Sequence, residues 1–119
     1  MAEALKLMPG LQQIDLSMTK MGMEGTRSIA EGLREMPCLH SLRIRGSEIC
    51  QGRLKGVRSL AEVLPSIPVI KLLDLNFNSI SNARFAILAE RLVKCRGLQH
   101  LDIYFNCCGA NGACVEQCL

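Results

Sequence analysis

Cys107, Cys108, Cys114 and Cys118 could hold a zinc ion between them, because four thiolates satisfy a tetrahedral site. Their spacing, Cys-Cys-x5-Cys-x3-Cys, lacks the Cys-x2-Cys knuckle from which such sites are built. Thiols that pack in turns or in a core are the better reading, so no metal and no cofactor is expected. The chain has seven cysteines, an odd number, and no Asn-x-Ser/Thr acceptor sequence, which favours a reducing cytoplasm or nucleus.

Catalytic constellations are not apparent. His40 precedes Ser41 and His100 precedes Leu101, but no Gly-x-Ser-x-Gly, phosphate-binding glycine loop or metal-binding histidine pair accompanies either. The basic run Arg53, Lys55 and Arg58 has no interleaved aromatics, so it reads as a solvated face and not as a nucleic-acid site. A net charge of +3 is mild, and no apolar run approaches membrane-spanning length. The N-terminal residues Met1 to Lys6 lack a basic region followed by an apolar stretch, so no leader is expected.

What remains is polar chemistry repeated at a fixed interval. Ala-Glu-x-Leu recurs from Ala2, Ala30, Ala61 and Ala89, in steps of 28, 31 and 28 residues. In phase with it run Leu11-x-x-Ile14-x-Leu16, Leu39-x-x-Leu42-x-Ile44, Ile70-x-x-Leu73-x-Leu75 and Leu98-x-x-Leu101-x-Ile103. Two patterns locked to one period indicate stacked supersecondary units.

Each unit opens with a strand, expected near 13–17, 41–45, 72–76 and 100–104. Residues two apart share a face, so Leu42 and Ile44, or Leu73 and Leu75, point into the core and their neighbours point away. Three residues beyond each core pair stands a polar residue, Thr19, Ser47, Asn78 or Asn106, suited to bonding the backbone of the turn that leaves the strand. Apolar residues then return inward at Met21, Ile49, Ile80 and Cys108.

Helices follow, expected near 26–36, 57–64 and 82–95, with a partial helix at each end of the chain. Phe85, Leu88, Ala89 and Leu92 form one stripe at i, i+3, i+4 and i+7, after a cap at Ser81 or Asn82. Pro9, Pro37 and Pro65 stop successive helices. The second unit's three extra residues fall within 51–57, in the loop between strand and helix.

The unit L-x-x-L-x-L-x-x-N-x-I, followed by a helix carrying L-A-x-x-L, resembles the leucine-rich repeat of the ribonuclease-inhibitor type over nearly the whole chain. The resemblance implies a single α/β domain over 1–119, a curved solenoid of about four repeats with parallel strands on its concave face and helices on its convex face. It further implies protein binding on the strand side, without catalysis. The same unit builds Ran GTPase-activating proteins, nucleotide-binding immune receptors and pieces of larger assemblies, so those readings stay open. Neither end shows a polar capping unit, from which self-association through apolar surface at Leu5, Leu7, Val115 and Leu119 is expected.

Stacked in register, the outward strand residues form columns: Gln13, Ser41, Leu72, His100; then Asp15, Arg43, Asp74, Asp102; then Ser17, Arg45, Asn76, Tyr104. Neighbouring strands lie about 4.8 Å apart, so Arg43 is expected between the carboxylates of Asp15 and Asp74. Asp74 beside Asp102 calls for a cation supplied from outside. Phe77 and Phe105 flank Tyr104, an aromatic grouping of the kind that concentrates binding energy. The candidate partner-binding residues are therefore Arg43, Arg45, Asp74, Asn76, Phe77, His100, Asp102, Tyr104 and Phe105.

Overall fold

The computed structural model describes residues 2–47, 55–103, 106–107 and 114–115. Strands β1 (Gln13–Asp15), β2 (Ser41–Arg43), β3 (Leu72–Asp74) and β4 (His100–Asp102) form one parallel sheet in sequence order. Parallel neighbours need a crossover, and helices provide it. Helix α1 (Ala2–Lys6) precedes β1, α2 (Gly22–Leu33) links β1 to β2, α3 (Lys55–Val63) links β2 to β3, and α4 (Asn82–Leu92) links β3 to β4.

Register follows the sequence period. Ile14 stands opposite Leu42, Leu42 opposite Leu73, and Leu73 opposite Leu101, while Asp15, Arg43, Asp74 and Asp102 align in the next row. The ladder runs one residue past each strand, since Leu16, Ile44 and Leu75 each donate a backbone N–H across to the next unit at 2.8 Å. The expected strands are thus shortened at their C-terminal ends, where the chain turns.

The inward strand residues Leu42, Ile44, Leu73, Leu75, Leu101 and Ile103 are buried in one cluster with Ile29, Leu33, Leu60, Leu64, Leu88 and Leu92 from the helices. Each such side chain contributes about 1.5–3 kcal/mol on leaving water, so aliphatic burial carries the fold. Phe85 packs against this cluster, partly buried.

Helix boundaries depart from expectation in instructive ways. Gly22, at φ +63°, turns the chain directly into α2, four residues before Thr26. Thr26 lies inside the helix, where its hydroxyl donates back to the Gly22 carbonyl at 2.6 Å and satisfies a buried oxygen without capping anything. At α4 the Ser81 side chain accepts the Arg84 N–H at 3.4 Å, an N-cap. Beyond α3 a single tighter turn, Leu64–Ser66, holds Pro65 at its start, where a missing N–H does no harm.

The expected C-terminal partial helix is corrected at Cys114–Val115. That segment forms strand β6, antiparallel to β5 (Asn106–Cys107), with Asn106 opposite Val115. The sequence between them, Cys-Gly-Ala-Asn-Gly-Ala, is rich in residues that favour turns over helix. At the other end Leu5 is buried, while Leu7 is exposed together with Met8, so the open apolar surface there is not that of Leu5. Ile49, Cys108 and Leu119 lie outside the described residues. No helix among the described residues is long and apolar enough to cross a membrane.

Candidate functional site

Alternation along β1 to β4 sends one set of side chains into the core and leaves the other set on a face that no helix among the described residues lines. There Asp15, Ser17, Arg43, Arg45, Leu72, Asp74, His100 and Asp102 line a shallow hollow of about 340 Å³. The structure thereby brings together five of the expected residues: Arg43, Arg45, Asp74, His100 and Asp102. Tyr104 and Phe105 lie outside the described residues.

The pairing of charges in this hollow differs from the lateral ladder expected. Asp74 is bound by Arg45, with Nη2 to Oδ2 at 3.1 Å, and its other oxygen accepts the Asn76 N–H at 3.1 Å. Arg45 stands two residues along the neighbouring strand from the position directly opposite Asp74, a diagonal that a long guanidinium arm spans easily. Asp102 takes His100, with Nε2 at 3.0 Å from Oδ2. The partner that Asp74 was expected to draw from outside is thus the chain's own Arg45, and Asp102 has a hydrogen-bond partner in His100.

Asp15 is held otherwise. A hydrogen bond from the Ser17 hydroxyl and another from its N–H, at 3.0 Å, keep the Asp15 carboxyl below its ordinary value. Partial desolvation opposes this, and the nearby positive charges of Arg43 and Arg45 add to it. Arg43 itself has no carboxylate within ion-pair distance among the described residues, although the register sets it between Asp15 and Asp74.

Asn76 is only 4% exposed, so it supports the site and does not present itself to a partner. It belongs to the exit of an inner strand, with a unit on either side, and its N–H is committed to Asp74. Phe77 is half exposed, at the rim of the same face.

One feature of this rim was missed from the sequence. Met18, Gly46 and Phe77 occupy the same position in three successive units, and each adopts a left-handed backbone, with φ of 60°, 60° and 61°. Glycine takes that conformation freely, whereas methionine and phenylalanine do so at a cost. Gly46 was the available signal, since it stands four residues past Leu42 as Phe77 stands four past Leu73.

The helix side offers a different surface. A hollow of about 310 Å³ between α3 and α4 is lined by Arg58, Ala61, Glu62, Ile87, Glu90 and Arg91, with charges of both signs intermixed. Of the cysteines, Cys38 is exposed and Cys95 buried, both as free thiols, and burial raises the Cys95 thiol above its ordinary value. No group of three or more His, Cys, Asp or Glu residues that could hold a metal is found among the described residues. No protein-family model matches the chain, and no curated protein matches it.

Proposed function

We propose that this chain is a leucine-rich repeat module of the ribonuclease-inhibitor type, a curved solenoid that binds a protein partner through its helix-free sheet face and performs no chemistry of its own. The observation that carries this reading is the hollow whose described lining comes from the strands and the residues that follow them, in which charged groups stand on a hydrogen-bonded sheet. Backbone held in such a sheet needs no reordering on binding, which favours recognition.

The groups present suit binding better than catalysis. Asp74 is tied up by Arg45 and the Asn76 N–H, and among the described residues His100 contacts a carboxylate but no hydroxyl or thiol nucleophile. Cytoplasmic or nuclear placement accords with the free thiols of Cys38 and Cys95.

Affinity capture from a cell extract, with quantitative mass spectrometry, tests the proposal when the parent chain is compared with Arg43→Glu and Arg91→Glu baits. Proteins that lose binding on Arg43→Glu and keep it on Arg91→Glu support the sheet face. The opposite pattern assigns function to the helix side.

A further inference from the structure

The charges of the hollow are unequally committed. Asp74 is bonded to Arg45, Asp102 to His100, and Asp15 to the Ser17 N–H. A cation arriving from a partner would have to displace one of these bonds. Arg43 alone among the charged residues lining the hollow has neither an ion pair nor a side-chain hydrogen bond among the described residues, so an arriving carboxylate breaks no such bond and competes only with the through-space attraction of Asp15. A guanidinium also offers a planar pair of donors that fits a carboxylate in two parallel bonds.

An apolar ridge stands three residues past the ends of β1, β2 and β3. Met18 is 75% exposed and Phe77 50% exposed, although both side chains are large and both backbones are strained. Gly46 stands between them: a Cβ there would come within 2.6 Å of the Met18 sulfur and 3.8 Å of the Phe77 Cβ. The missing side chain therefore leaves room for the Met18 thioether over Gly46, with the Phe77 Cβ near the same position. Strained backbone that keeps apolar side chains in water is a mark of a working surface, and a thioether adapts readily to a partner's shape. The ridge begins three residues past Arg43 along its own chain segment.

We infer that the sheet face takes an acidic peptide segment of a partner protein, with an aspartate or glutamate carboxylate on Arg43 and a large apolar side chain a few residues away on the ridge of Met18, Gly46 and Phe77. This rests on the proposal that the sheet face is the binding surface. Electrostatics sets the position of the segment, and apolar burial on the ridge adds affinity.

A displayed library of random short peptides, panned on the full chain at low ionic strength, tests the inference. The selected consensus, made as a fluorescent peptide, is then titrated by anisotropy against the parent and its variants. The expected consensus carries Asp or Glu with Leu, Ile, Met or Phe nearby. Its Kd is expected to rise about tenfold or more on Arg43→Gln and severalfold on Met18→Ser, with no change on Arg91→Gln. A Lys- or Arg-rich consensus that weakens on Asp102→Asn would overturn the inference and leave the sheet-face reading standing. A consensus indifferent to Arg43 and Asp102 but weakened by Arg91→Gln would overturn both. A library that yields no enriched sequence would also count against the acidic segment.

Discussion

Asn78 closes the turn of the unit before its own: its Oδ1 accepts the Ser47 N–H at 2.9 Å and its Nδ2 donates to the Ile44 carbonyl at 2.6 Å. The same Nδ2 reaches the Leu75 carbonyl of its own unit at 3.0 Å. Ser47 repeats the device one unit earlier, its hydroxyl donating to the Leu16 carbonyl at 2.7 Å. Units are thus stitched through their turns as well as through the sheet.

Replacing Asn78 with alanine strands the buried Ser47 N–H and takes away the side-chain donor to the Ile44 carbonyl. The expected cost is about 2–4 kcal/mol by urea unfolding, against about 1–2 kcal/mol for Ser47→Ala, whose hydroxyl lies nearer the open end. Equal small losses at both sites would show that water replaces these bonds freely.

Leu73 and Asp74 are adjacent yet face opposite ways, and both changes should hurt for different reasons. Leu73 has no exposed surface, and Leu73→Ala is expected to cost about 2–5 kcal/mol through a cavity. Asp74→Ala removes the acceptor of the Asn76 N–H and the partner of the half-exposed Arg45, with an expected cost of about 1–3 kcal/mol. Asp74→Ala without effect would mean that the Arg45 contact contributes nothing in solution.

The period of the sequence made the sheet, its order and its register legible, because every core leucine repeats at the spacing of one strand and one crossover. The columns of the open face followed from alternation alone. Charge pairing did not, since register places Cα atoms and not the ends of long arms: Arg45 reaches diagonally to Asp74 and leaves Arg43 uncommitted. The start of α2 was obscured because Gly22 enters the helix from a left-handed turn, whereas Thr26 looks like a cap and bonds backward instead. Cys114 and Val115 carry no helical period, and pairing with Asn106 and Cys107 makes them a strand.

Acid should weaken the fold partly through Asp15. Its folded carboxyl titrates below its unfolded value, so its contribution is present above the ordinary carboxylate range and is lost as pH falls through the lowered folded value. Thermal melts of the parent and Asp15→Asn between about pH 5 and pH 2 should therefore converge toward the acid end. A gap that widens on acidification would contradict the assignment of Ser17 as the group that lowers Asp15.

The two described thiols should differ sharply in reactivity. Cys38 is exposed, while Cys95 is buried, with its sulfur 3.7 Å from the Arg91 carbonyl and its thiol raised by desolvation. Limited alkylation with iodoacetamide at neutral pH, followed by peptide mapping, should label Cys38 well before Cys95. Comparable rates would mean that the end of α4 opens readily.

The most direct test of the account is the affinity of a purified, captured partner for two single variants of opposite faces, measured by titration calorimetry. Arg43→Glu, on the sheet face, is expected to weaken binding by about tenfold or more, while Arg91→Glu, on the helix side, should stay within about twofold of the parent. Loss of affinity with Arg91→Glu and none with Arg43→Glu would contradict binding on the sheet face.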